Sequence, residues 1–266
     1  MSRLQSPSSI NLYKQCPRRY YYRYIEKKPS MPNRYTIIGN SVHSVLENFF
    51  KINISHINET NYEKELTVFI LELMNKEFEN TKHQLSKINL LNESSELYDE
   101  FNFMINLWIK NFCTRIQIQL SKSKTFAQSF LFIKPNTEIK LISQEHKVQG
   151  FVDAIFKRKK GDILVDYKTS KKDIMTEDYI TQLSIYALLY YQNYKKLPNK
   201  VGVDFLKHGK MHFIDVDQDL LKKAKLECEL IKINTQSINI GDYPKKITPL
   251  CKWHSGQCDF YDICFK

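Results

Sequence analysis

The chain has 266 residues, 42% hydrophobic and 26% charged, proportions of a globular protein long enough to bury a real core. Its 40 lysines and arginines against 29 acidic residues leave a net charge of +11, which favours a polyanionic partner, because basic side chains displace counterions condensed on phosphates. With no apolar signal core at the start and no apolar run long enough for a bilayer, the expectation is a cytoplasmic protein with no membrane partner, whose six cysteines are thiols or metal ligands rather than disulfides.

Pro7 and its flanking serines open a helix bearing Ile10, Leu12 and Tyr13; Pro17 interrupts it and an Arg/Tyr-rich stretch follows. Beyond a loop at Pro29 and Pro32, "YTIIGNSVHSVLENFFKI" predicts a helix that begins near Gly39 and carries His43. From about 62 to 120, two long segments repeat apolar residues every three or four positions, joined by the polar stretch "TKHQLSKINLLNESS". The period then shortens. "AQSFLFIK", "EIKLISQEHKVQGFVDAIFKR" and "DILVDYKTS" read as strands, with "KRKKGD" as a polar turn. A helix capped by Thr176 comes next, then two strands around an "HGK" turn, a last helix and a cysteine-rich tail. The pattern predicts an α/β fold: a mixed β-sheet with helices on both sides and an early helical insertion. The expected boundaries are an N-terminal element over 1–43, the insertion over 44–127, the core over 128–216, and the C-terminal helix and tail over 217–266.

The chemistry concentrates in "GFVDAIFKRKKGDILVDYKTSK". Asp153 sits among apolar neighbours on one predicted strand, and Asp166 and Lys168, two residues apart on the next, share a face. Two carboxylates and the Tyr167 backbone carbonyl suit a hard divalent ion such as Mg²⁺ or Mn²⁺, which polarises a phosphodiester and acidifies a water. Lys168 then orients that water or stabilises transition-state charge. Charges at strand ends also occur as a solvated edge, and these three residues alone leave both readings open.

The order of motifs resembles the PD-(D/E)xK nuclease superfamily, in its RecB-like and Cas4-like branch. The matching residues are Gly150 to Asp153, "DYKTS" from Asp166, Gln182 with Tyr186 on the following helix, and "GNSVH" ending at His43. The resemblance implies a restriction-endonuclease-like fold and a metal held by His43, Asp153, Asp166 and the Tyr167 carbonyl. It implies that Lys168 serves the nucleophile and that Gln182 and Tyr186, on one helical face, reach the site and position the DNA strand. Glu145 resembles an acidic position on the preceding strand, with an exposed strand charge as the other reading; His146 is incidental.

The cysteines add a second match. The iron–sulfur branch of the family has one cysteine near the N-terminus and three near the C-terminus, and Cys16 with Cys251, Cys258 and Cys264 fits a [4Fe–4S] cluster that joins the chain ends. The family spaces its first two C-terminal cysteines by two residues, whereas here His254 occupies the expected place and a Ser255-Gly-Gln step delays Cys258. His254 as a ligand, and zinc held by a Cys/His set, therefore stay open. Cys113 and Cys228 read as buried thiols.

The resemblance implies a metal-dependent deoxyribonuclease, an exonuclease on DNA ends or single strands in recombination, repair or CRISPR adaptation. Its partners would be DNA and a helicase, integrase or other protein of such an assembly. The alternative is a catalytically silent nuclease-like subunit that binds DNA or a partner. For Arg18, Arg19, Tyr20, Tyr21 and Tyr22, nucleic-acid contact and helix packing are equal readings.

Overall fold

The computed structural model describes residues 3–254 and 256–266. Ser6 caps α1 (Pro7–Gln15), with Pro at the first position; Cys16 breaks the chain into α2 (Pro17–Tyr20), which runs on as a π-helical turn, Tyr21–Ile25. α3 spans Arg34–Phe49, starting five residues before the expected point. The Asn33 side chain accepts from the Tyr35 and Thr36 amides while Thr36 bonds back, so a capping box sets the start. α4 (Tyr62–Ser86) and α5 (Ser94–Leu120) follow, with α4 absorbing the first part of the expected polar connection.

The segment read as the first strand, "AQSFLFIK", is helical: α6 spans Phe126–Ile133. Thr125 and Gln128 form a capping box, and Phe126, Phe130 and Ile133, at helical spacing, are the apolar residues it buries. A short, nearly continuous apolar run satisfies both periods, and the cap decides.

The sheet is built from β1 (Asn136–Ser143), β2 (Val148–Phe156), β3 (Ile163–Lys168), β4 (Lys200–Phe205) and β5 (Lys210–Asp215), in that spatial order. All neighbours are antiparallel except β3 and β4, which are parallel and need a crossover. α7 (Glu177–Tyr194) supplies it, and Thr176 accepts from the Tyr179 amide as its cap. The last helix of the core, α8 (Gln218–Asn234), packs beside α7.

Two cores cover the two faces. On one, Val42, Phe49, Leu66, Phe101, Trp108, Phe112 and Phe130 from α3 to α6 pack with Ala154, Phe156, Val165 and Tyr167. On the other, α1, α7 and α8 pack with Val152, Leu164, Val201, Val203 and Phe205. This is a mixed sheet flanked by helices, consistent with the expected restriction-endonuclease-like fold. At the end of the sheet away from Lys168, buried Asp162 accepts from Lys157 at 2.7 Å, from Lys196 at 3.2 Å and from the Tyr190 hydroxyl, which ties the β2–β3 turn to α7.

The tail carries a hairpin, β6 (Lys252–Trp253) and β7 (Gly256–Gln257), then α9 (Tyr261–Cys264). It lies against the N-terminal element: the Arg18 side chain donates to the Tyr243 carbonyl at 2.7 Å, and Tyr20 and Tyr243 stack with ring centres 6.2 Å apart. Among the described residues no helix is long and apolar enough to cross a membrane.

Candidate active site

β2 and β3 pair over Ala154–Phe156 and Ile163–Val165, and there the ladder stops. The next amide, that of Tyr167, donates to the Asp153 carboxylate at 2.7 Å instead of to a strand carbonyl. A side chain thus replaces a rung, the two strands part, and Asp153 and Asp166 are held at the opening, 8% and 2% exposed. α3 delivers His43 to the same point. Its Nε2 lies 2.9 Å from the Tyr167 carbonyl oxygen and its Nδ1 3.3 Å from Asp153 Oδ1.

A fourth residue joins them. The β1–β2 register pairs Thr137 with Ala154 and Ile139 with Val152, which sets Glu138 across from Asp153. Glu138 has φ +50°, a left-handed conformation uncommon for a residue with a side chain and one that recurs at functional sites. His43, Glu138 and Asp153 offer ligand atoms that all lie within 4.8 Å of one another.

Asp166 faces a different set. Lys168 Nζ is 2.6 Å from Asp166 Oδ2 and donates to Gln182 Oε1 at 3.0 Å; Gln182 Nε2 donates to Asp166 Oδ1 at 2.8 Å and to the Tyr186 hydroxyl at 2.9 Å. One amide therefore fixes both the acid and the ammonium. Tyr186 is only 5% exposed, and a Cβ on Gly150 would meet its ring at 2.9 Å, so Gly150 is the close approach that seats Tyr186 under Gln182. The helical pair Gln182 and Tyr186 is arranged along one face, but its observed contacts are with Asp166 and Lys168 through Gln182.

Electrostatics test whether a divalent cation fits. Burial, then the Asp153 charge beside it, pushes Glu138 up to about 7. Burial is the strongest single influence on His43 and would pull it down, but the bond to Asp153 together with the Asp153 and Asp166 charges holds the imidazole above its ordinary value. Burial likewise raises Asp166 and opposes the Lys168 ammonium, but Asp166 beside it keeps Lys168 charged. Three acids thus share a buried cleft with one histidine and one lysine, the crowding a divalent cation relieves. The 2.9 Å between His43 Nε2 and the Tyr167 carbonyl also matches the roughly 2.9 Å between adjacent ligands in an octahedron of radius about 2.05 Å. The donor set fits a hard cation.

The acidic position on the preceding strand belongs to Glu138, not Glu145. Glu145 lies in the β1–β2 turn with its side chain 68% exposed, 3.5 Å from His146. Counting back symmetrically from that turn would have found Glu138, because hairpin register fixes which residue opposes Asp153. In the N-terminal stretch, Tyr20, Tyr21 and Tyr22 are 1%, 8% and 5% exposed and pack in the core, so they offer no stacking surface; Arg18 is bonded to Tyr243 and Arg19 lies 3.8 Å from Asp259.

Cys16, Cys251, Cys258 and Cys264 line one cavity, with Arg18, Tyr22 and Phe260 in its wall. Burial raises the Cys258 and Cys264 thiols, and each also lies within electrostatic reach of Cys16. The long Cys251–Cys258 spacing is taken up by the β6–β7 hairpin: the Cys258 amide donates to the Cys251 carbonyl at 2.9 Å, so the two cysteines meet at its base. His254 is exposed beyond Trp253 and is not in the cavity wall; Ser255 lies outside the described residues. Cys113 and Cys228 are buried elsewhere, and burial pushes each up to about 12.

A search of curated proteins returns no match. Among solved structures, the chain is similar to the crystal structure of a candidate exonuclease from Eubacterium rectale, with 11% identity, a TM-score of 0.48, and coverage of 99% of this chain and 93% of that one. The model of the PD-(D/E)XK nuclease superfamily matches residues 5–265, and the chain belongs to that superfamily.

Proposed function

We propose that the protein is a Mg²⁺- or Mn²⁺-dependent deoxyribonuclease of the RecB-like and Cas4-like branch, acting as an exonuclease on DNA ends or single strands in recombination, repair or CRISPR adaptation. The observation that carries the reading is the convergence of His43, Glu138 and Asp153 within 4.8 Å, beside the Tyr167 carbonyl and the Asp166–Lys168 pair. The proposed ligands are His43, Asp153, Asp166 and the Tyr167 carbonyl, joined by Glu138. A bound divalent ion would supply Lewis-acid polarisation of the phosphodiester and an acidified water.

The chain's own residues do the rest. Lys168, kept charged by Asp166, stands ready to orient the attacking water or to meet negative charge as it develops. Gln182 holds that ammonium in place and Tyr186 holds Gln182, which makes both positioning residues. In-line attack on the phosphorus then needs only a strand laid across the parted ends of β2 and β3.

We further propose a [4Fe–4S] cluster on Cys16, Cys251, Cys258 and Cys264. Its support is the shared cavity and the hairpin that compensates for the unusual spacing. A helicase or integrase as partner rests on the branch assignment, whereas the proposed boundaries at 43, 127 and 216 rest on the change of residue period along the chain.

The test is degradation of end-labelled single- and double-stranded DNA by anaerobically purified protein in Mg²⁺, Mn²⁺ or EDTA. Metal-dependent degradation that falls by about 10²-fold or more in Lys168→Ala is expected. DNA binding without degradation in either metal would give the silent binding subunit instead.

A further inference from the structure

α3 does more than carry His43. From Tyr35 to His43 it runs beside the end of β3 and the chain that leaves it, approaching at three places. His43 meets the Tyr167 carbonyl at 2.9 Å; a Cβ on Gly39 would meet Thr169 Oγ1 at 3.7 Å; and Lys171 Nζ lies 6.0 Å from the centre of the Tyr35 ring. Residues 35, 39 and 43 follow one another at four-residue steps and so share one face of the helix. The result is a ridge that leads outward from the proposed metal ligands, low at Gly39 and ending in an aromatic ring.

That ring is open. Tyr35 is 57% exposed, while Ile37, Ile38, Val42 and Phe49 of the same helix are 2% or less. Cations flank it: Arg34 at 5.6 Å from the ring centre, and Lys171, which makes no ion pair within 4 Å among the described residues. Arg34 is already paired with Glu93 and Glu96, so Lys171, which acts on Glu96 only at longer range, is the less engaged of the two cations. Eight helical residues separate Tyr35 from His43, about 12 Å along the axis, or roughly three nucleotides at the spacing of a stacked strand.

We propose that Tyr35 is a base-stacking platform for a single strand, about three nucleotides from the scissile phosphate, with Lys171 on the adjoining backbone. The inference rests on the nuclease reading, and it names the substrate form that reading leaves open. A paired base has its faces covered by its neighbours, whereas a base in a single strand is free to stack on the ring. Tyr35 therefore selects single-stranded ends over intact duplex.

The test uses the full chain, with Ca²⁺ as the metal so that binding is observed without cleavage. Oligonucleotides carry 2-aminopurine at successive positions, and wild type, Tyr35→Phe and Tyr35→Leu are compared after their melting curves show that each is folded. Strong quenching at one position, about three nucleotides from the bond that Mn²⁺ cleaves, is expected in wild type and Tyr35→Phe. In Tyr35→Leu the quench is lost and single-strand affinity falls about tenfold or more, while duplex affinity holds. Equal quenching in all three proteins, or equal loss in Tyr35→Phe and Tyr35→Leu, would overturn the assignment. Tyr35-dependent quenching without cleavage in Mn²⁺ would remove the nuclease reading and leave the stacking site standing; cleavage with no Tyr35-dependent quench would do the reverse.

Discussion

Glu138→Gln is expected to stabilise the protein while disabling it. Glu138 faces Asp153 across the β1–β2 register, with φ +50°, and burial beside that charge lifts its carboxyl to about 7. An acid raised on folding binds its proton more tightly in the folded chain, so stability declines as pH rises from the ordinary glutamate range to about 7 and stays lower above it. Glutamine removes that loss. In EDTA at pH 8 the variant should melt about 2–4 °C above wild type, the shift that corresponds to about 1 kcal/mol in a chain of this size. At pH 5, where the wild-type acid is already protonated, the two should converge. Mn²⁺ should then raise the melting point of wild type far more than that of the variant, because a ligand that binds only the folded state stabilises it by mass action. Nuclease activity should fall by more than the 10–100-fold typical of losing a partner outside the ligand set. A variant with wild-type activity and wild-type metal response would remove Glu138 from the site.

Cys16→Ser carries the second large effect. Cys16 lies between α1 and α2, and its proposed cluster partners follow a loop of roughly 235 residues, so the cluster acts as a cross-link between chain ends. By the chain-entropy argument, closing so long a loop is worth about 5 kcal/mol, and losing it should lower the melting point by about 10–20 °C. The wild-type protein, purified without oxygen, should be brown with broad absorbance near 400 nm, and the variant colourless. The tail should also become more open to proteolysis beyond Tyr243, since without the cluster that segment is left with side-chain contacts such as Arg19–Asp259 and Tyr22–Phe260. A colourless wild type with one zinc per chain would replace the cluster by zinc. An unchanged melting point in Cys16→Ser would show that the tail is held by packing alone.

The legible parts of the fold were those where two signals agreed. Thr176 and the apolar spacing behind it both mark α7, and alternation with a polar turn marks β2 and β3. Where periods conflicted, the capping side chain decided: Thr125 with Gln128 made a helix of an apparent strand, and Asn33 with Thr36 moved the start of α3. Spacing motifs in the candidate site led to His43, Asp153, Asp166, Lys168 and Gln182, and the fold brings them to one cleft. Glu138 carries no local motif; only strand pairing makes it a neighbour of Asp153, and pairing is a long-range property. The tyrosines after Cys16 stay open between packing and nucleic-acid contact in the sequence for a related reason, since an Arg/Tyr stretch gives no local sign that Tyr243 will close over it.

The central claim is one divalent ion held where β2 and β3 part. A crystal of the protein grown with Mn²⁺ and measured above the manganese absorption edge addresses it directly. The expected result is an anomalous peak about 2.1–2.3 Å from ligand atoms of His43, Glu138, Asp153, Asp166 and the Tyr167 carbonyl, with Lys168 still beside Asp166. A fully occupied peak elsewhere, or none at saturating Mn²⁺ with these side chains unmoved, would contradict the account.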